Sequence, residues 1–159
     1  MKTAEDILKE KGSEMIWVTE DTTISEALKK MVGNKIGAIL VKKDDRFVGI
    51  WTERNLMRNT LLEDFDPNTA KVKDYMSANL RSAPAGDSLY MLMDKFLGMR
   101  LRHLLIEKNN KYIGLLSSGD VIKADLNEKS KELEKLNAMI SWEYYENWKW
   151  NPQAGGPKT

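Results

Sequence analysis

At 159 residues the chain has room for one domain of ordinary size, and 42% hydrophobic with 31% charged residues is the composition of a folded, water-facing protein. Its 25 basic and 24 acidic side chains nearly cancel, so overall charge gives no reason to expect nucleic acid or an anionic membrane as partner. Cysteine is absent, which excludes disulfides and thiol chemistry, and no apolar run approaches the roughly 20 residues that span a bilayer. The opening MKTAEDILKEKG lacks the apolar core of a signal peptide, so a cytoplasmic protein is expected.

In chain order, Thr3 caps a short helix containing Ile7 and Leu8 that ends near Gly12, and Met15 to Val18 is a short extended run. Thr22 or Thr23 opens a helix in which Ile24, Ala27, Leu28 and Met31 keep a 3.6-residue period, with Glu26 placed for a capping box and Gly33-Asn34 as the stop. Ile36 to Val41 is a continuous apolar run, the pattern of a strand buried on both faces. A polar turn over Lys42–Arg46 leads to a second strand, Phe47–Trp51, and Thr52 starts a helix predicted to turn Leu56, Met57 and Leu61 inward. Residues 63–71, with Pro67 and Asn68, read as a linker, and Val72–Met76 as a helical turn.

The pattern then returns. Leu89–Lys123 superimposes on Ile24–Arg58 without a gap, 65 positions on: Gly33 falls on Gly98, Leu40 on Leu105, Gly49 on Gly114, Thr52 on Ser117 and Asn55 on Asp120. Two copies that keep polarity while losing identity are two half-domains of one fold, each burying a face against the other. Each unit reads strand, helix, strand, strand, helix: the first two strands parallel, the hairpin antiparallel. The fold class is α+β, two pseudo-twofold-related β-α-β-β-α repeats with a C-terminal helix. The first repeat with its N-terminal helix takes residues 1–62, the second 72–125, a helical extension 126–150, and a disordered tail 151–159.

Two tetrads carry the chemistry, Thr52-Glu53-Arg54-Asn55 and Ser117-Ser118-Gly119-Asp120. In each a hydroxyl residue ends a strand, and an amide or carboxylate follows three positions on, in the first helical turn. One reading is capping alone. The other is a nucleotide site, with backbone N–H groups and hydroxyl at a phosphate and the Asn or Asp accepting from ribose. Recurrence at corresponding places favours the second. Arg100 and Arg102 suit phosphate oxygens, or else stand in solvent or pair with acids such as Glu53. His103, the single histidine, contacts phosphate or is a packed strand residue; with no second histidine and no cysteine, a transition-metal site is not expected.

The whole pattern resembles a tandem pair of cystathionine-β-synthase (CBS) domains, a Bateman module, of the small stand-alone bacterial kind. The resemblance rests on VTEDTTISEAL at 18–28, IGAILV at 36–41, RFVGIWTERNL at 46–56, VKDYMS at 72–77, RHLLIE at 102–107 and YIGLLSSGDVI at 112–122. It implies a sensor, not an enzyme, that binds an adenine nucleotide (AMP, ADP or ATP, with NAD(H) or an S-adenosyl ligand as further candidates) in a cleft between repeats. Its h-[ST]-x-x-[ND] motif places Thr52 and Ser117 at phosphate, and Asn55 and Asp120 at ribose, with Arg54 as a phosphate clamp. Trp17, Val18 and Thr19, Ser82, Ala83 and Pro84, and the strand starts Ile36, Gly37 and Ala38 and Leu101 to His103 are implied around the base. Asn55 departs from the commoner Asp and the second copy has Gly119 opposite Arg54, so the two clefts are expected to differ. A flat homodimer is also implied.

Beyond Asp125, Leu126, Leu133, Leu136 and Ile140 lie on one face of a charged helix, followed by Trp142, Tyr144, Tyr145, Trp148 and Trp150. Such aromatics suit a dimer contact or a docking surface for a protein partner. They keep open a different function, a structural or interaction module with vestigial clefts, for which Asn55 and the bulky Trp51 also speak. GxGxxG, Walker A and nucleophile-elbow motifs are absent, so no catalytic residue is assigned.

Overall fold

The computed structural model describes residues 1–137. They fall into a compact unit, Met1–Ile122, and a second unit that begins at Lys123. Thr3 caps α1 (Ala4–Lys11) through a reciprocal box with Asp6, and Gly12 ends the helix in the left-handed conformation, φ 64°. The first repeat then runs β1 (Trp17–Thr19), α2 (Ile24–Asn34), β2 (Ala38–Lys43), β3 (Arg46–Thr52) and α3 (Glu53–Asn59). A single 3-10 turn, Val72–Asp74, precedes the second: β4 (Ser82–Pro84), α4 (Leu89–Gly98), β5 (His103–Lys108), β6 (Lys111–Ser117) and the start of α5 (Ser118–Asn137).

Each repeat forms a three-stranded sheet, β1-β2-β3 and β4-β5-β6, with the first pair parallel and the hairpin antiparallel. The α+β repeat architecture expected from the sequence is therefore present. Strands reach farther than predicted because each hairpin turn uses only two residues, Asp44-Asp45 and Asn109-Asn110. All four have positive φ, as in a type I′ turn. Helix α2 stops at Gly33-Asn34 as expected, with the next residue, Lys35, at φ 54° and its N–H reaching Met31 O.

Thr23 caps α2 in a box with Glu26, and Ile24, Ala27 and Met31 turn inward onto Val18, Ile39, Val41, Trp51 and Val72. Leu40 points to the other side of β2 and is fully buried too, as is its counterpart Leu105 on β5. The central strand of each sheet is thus covered on both faces. Phe47 and Tyr112, corresponding residues of the two repeats, meet in a tilted contact with ring centroids 6.3 Å apart. The predicted inward face of α3 needs correcting. Leu56 is half-buried, but Met57 is 65% exposed, and Leu61 lies beyond the helix and is 85% exposed. Seven residues make barely two turns, and the helix ends before Leu61 can join its apolar side.

The segment leading into each repeat packs on the other one. Val72 N–H donates to Thr22 O and Ile24 N–H to Ala70 O, at 2.8 and 2.9 Å, tying the 3-10 turn to the first repeat. Likewise Ala4 N–H donates to Asp87 O and Leu89 N–H to Lys2 O, at 2.8 and 3.1 Å, tying α1 to the second. Gly49 and Gly114 show why each repeat has glycine there. A Cβ at Gly114 would stand 2.5 Å from Leu8 Cδ2 of α1, and one at Gly49 would strike the Met76 side chain. Buried Ala4 and Ile7 and a Lys108–Glu5 ion pair at 2.8 Å complete the seat of α1.

Helix α5 continues unbroken across position 125; Leu126, Leu133 and Leu136 are exposed on it, and Lys129 pairs with Asp125 at 3.0 Å. Ile140, the aromatic cluster and the tail lie outside the described residues.

The seat of α1 gives a direct test. Gly114→Ala should cost about 1–3 kcal/mol in chemical unfolding, the usual penalty for overpacking. Adding Leu8→Ala should make room, so that the double variant loses less than the sum of the singles. Simple additivity would show that α1 does not stand on Gly114.

Candidate functional site

Both tetrads are reciprocal caps. At the end of β3, Thr52 N–H donates to Asn55 Oδ1 at 3.0 Å, its hydroxyl donates to the same oxygen at 2.9 Å, and Asn55 N–H donates to Thr52 Oγ1 at 3.2 Å. This fixes the Asn55 amide with its oxygen toward the cap and its NH₂ turned away. At the end of β6, Ser117 N–H donates to Asp120 Oδ2 at 2.8 Å, and Asp120 N–H donates to Ser117 Oγ at 3.1 Å.

The second cap has an addition that the first lacks. Lys11, the last residue of α1, donates from Nζ to Asp120 Oδ2 at 2.9 Å and to Leu115 O at 3.0 Å. Partial burial raises the Asp120 pKa, but the Ser117 N–H and the Lys11 ammonium outweigh it and hold the carboxyl below its ordinary 3.8. The stabilisation from this ionised form is complete above the ordinary value and fades as pH falls through the lowered one.

The two caps flank a cavity of about 430 Å³ between the repeats. The size is that of a small-molecule site. Thr52 and Ser117 both line it, as do Ser118, Ser77 and Asn79. Its apolar wall is Ile50, Leu80, Leu101, Leu105 and Leu115, and its cations are Arg54, Arg81, Arg100 and Arg102. His103 pairs with Ser117 in the β5–β6 ladder, just as Ala38 pairs with Thr52 in the first sheet.

Of the residues singled out in the sequence, the structure brings together Gly37, Thr52, Arg54, Arg100, Leu101, Arg102, His103 and Ser117 around this cavity. Asn55 and Asp120 stand behind their caps, outside its lining, as do Ile36 and Ala38. Trp17, Val18 and Thr19 lie elsewhere on the first sheet; the Lys42 ammonium sits 4.5 Å from the Trp17 ring centroid. Ser82, Ala83 and Pro84 form β4, which follows directly on the lining segment that ends at Arg81.

Sequence reasoning missed Leu80, Arg81 and Lys11. Arg81 immediately precedes the SAP strand, and a cation one step before an expected cleft strand was a usable signal. Lys11 gave none, because 109 residues separate it from Asp120.

The electrostatics favour an anion. Among the described residues no carboxylate lies within ion-pair reach of Arg54, Arg81, Arg100 or Arg102, so of the alternatives weighed for Arg100 and Arg102, pairing with Glu53 is not made. Glu53 instead lies against Gly37, where an added Cβ would come within 3.1 Å of its carboxyl. The second repeat reverses this arrangement, with Arg102 opposite the small Ser118, and Ser118 N–H donates to Arg102 O at 2.9 Å. Burial, followed by the charge of Lys11, lowers the His103 pKa below 6.5, so the ring is neutral at neutral pH.

The CBS-domain family profile matches residues 3–61 and 72–127. A mitochondrial CBS domain-containing protein of Arabidopsis thaliana, CBSX3, is 31% identical over 89% of this chain and 73% of its own length. Among solved structures, a CBS-domain containing protein from Agrobacterium tumefaciens shares 31% identity at a TM-score of 0.73, covering 78% of this chain and 99% of its own. One from Burkholderia ambifaria MC40-6 shares 27% at 0.72, covering 95% and 99%. Two more distant likenesses carry the fold alone: CBSX2 in complex with AMP, at 22% identity and a TM-score of 0.67, and a CBS domain protein from Pyrobaculum aerophilum complexed with AMP, at 20% and 0.65. With two copies of the profile spanning most of the chain, on two sheets joined as the repeat requires, this protein belongs to the CBS-domain family as a tandem pair.

Proposed function

We propose that the chain is a regulatory module that binds an adenine nucleotide in the cavity between its repeats. One observation carries the reading: corresponding hydroxyl residues of both repeats, Thr52 and Ser117, line a single cavity beside four guanidiniums. Distant CBS pairs with AMP bound support the choice of ligand class. The phosphate lies among the hydroxyls and arginines, where charge-assisted and bidentate hydrogen bonds are strongest. The base rests on the apolar wall of Leu80, Leu101 and Leu105. Asn55 and Asp120, behind the lining, hold the Thr52 and Ser117 hydroxyls in place.

Regulation follows from the shape of the site. A ligand held by both repeats favours whichever mutual arrangement closes its contacts, and it shifts the module by its difference in affinity between arrangements. Calorimetric titration with AMP, ADP, ATP, NADH and S-adenosylmethionine is the test. At least one should bind saturably, and Ser117→Ala with Thr52→Val should weaken it about tenfold or more, as loss of two hydrogen bonds to a charged group implies. Heat that is the same in the double variant would place the ligand elsewhere.

His103 supplies a check that does not depend on heat. In the free protein its proton NMR titration should have a midpoint below 6.5, and fold stability should fall as pH drops through that range, because the unfolded chain binds the proton more readily. A bound anion beside Arg102 offsets the positive charges that disfavour the imidazolium, so saturating nucleotide should move the midpoint upward. An unmoved midpoint in the saturated complex would contradict an anion at this place.

A further inference from the structure

The cations of the cavity are distributed unequally between the repeats. Arg54 stands where the second repeat has Gly119, Arg81 where the first has Ile16, and Arg102 where the first has Gly37; only Arg100 has a basic counterpart, Lys35. Three separate segments bring these guanidiniums to one cavity: the first turn of α3, the stretch before β4, and the α4–β5 turn. Against them stands Glu53, the one carboxylate among the described lining residues. Arg100 holds φ 51°, the left-handed helix-stop conformation that its counterpart Lys35 also takes, at φ 54°.

Building on the nucleotide reading, we propose that this cavity selects ligands with two or more linked phosphates over monophosphates, reading phosphate number through Arg81 and Arg100. A single phosphate group carries about two negative charges near neutral pH and is fully engaged by one or two guanidinium forks. The four arginines are exposed at the cavity, and one phosphate engages only one or two of them. A chain of phosphates spreads charge over the distance between the segments and gives each arginine its own oxygens. The adenine and ribose contacts are common to every adenine nucleotide, so the arginines beyond the first pair set the preference.

The experiment is calorimetry at fixed ionic strength with AMP, ADP, ATP, inorganic tripolyphosphate and orthophosphate, on the full chain and on Arg81→Gln and Arg100→Gly. ATP should bind about tenfold or more tightly than AMP, the difference that one or more added charge-assisted hydrogen bonds implies. Tripolyphosphate should compete with ATP, and orthophosphate at equal concentration should not. Each variant should lose about tenfold in ATP affinity and less than about threefold for AMP. Arg100→Gly tests folding at the same time: glycine accepts the left-handed backbone, so its melting temperature should hold or rise. Equal affinities for AMP and ATP, reduced alike by both variants, overturn the polyphosphate preference and leave the adenine-nucleotide module standing. Tripolyphosphate binding without any adenine nucleotide does the reverse. Silence from every compound overturns both.

Discussion

A sheet of three strands with helices on one side has a second face that its own repeat cannot cover, and the organisation of this protein follows from that shortage. Leu40 and Leu105, central on that second face, are buried although neither belongs to the helix side of its sheet. Burying a leucine of this kind contributes about 1.5–3 kcal/mol, which neither repeat gains alone. The exchange of leading segments extends the same dependence. The 3-10 turn before the second repeat fills the space above Gly49 of the first, and α1 fills the space above Gly114 of the second. Each half is therefore completed by residues of the other, and a cavity at their junction is sensitive to how the halves meet.

Charge gives that junction its direction. The repeat relation alone would produce two equivalent half-sites, but small differences at matched positions break the equivalence. Glu53 needs glycine opposite it at position 37, whereas Ser118 leaves room for Arg102. Lys11 then occupies Asp120 in the second half, while Asn55 in the first is satisfied by its own cap. His103 sits among these groups as a half-buried neutral ring whose proton affinity records the local potential. On the proposed reading, an uneven distribution of charge over an even fold would let one domain pair take an anion in a single orientation.

Much of this was legible in the sequence, because repeats advertise themselves. The gapless register of Gly49 on Gly114 and Thr52 on Ser117 gave the strands, the parallel and antiparallel pairings and the two caps. The first hairpin's boundaries were misjudged at Asp44-Asp45, where residues without glycine's freedom nonetheless take positive φ in a two-residue turn. Met57 and Leu61 were misplaced because a helical period predicts a face only if the helix is long enough to present it, and α3 stops at Asn59. Trp51, read from sequence as an obstacle, is buried in the first core with its indole N–H donating to Asn59 Oδ1 at 3.0 Å. Arg81 and Lys11 came to light only in three dimensions, since both act across distances that no local pattern records.

The central claim is that the cavity between the repeats is where an adenine nucleotide binds. A crystal structure grown with saturating ATP tests it most directly. The account predicts phosphate density between Thr52 and Ser117, within hydrogen-bonding distance of the Arg81 and Arg102 guanidiniums, and a base against Leu80 and Leu101. Nucleotide density at any other surface, with this cavity holding only water, would contradict it.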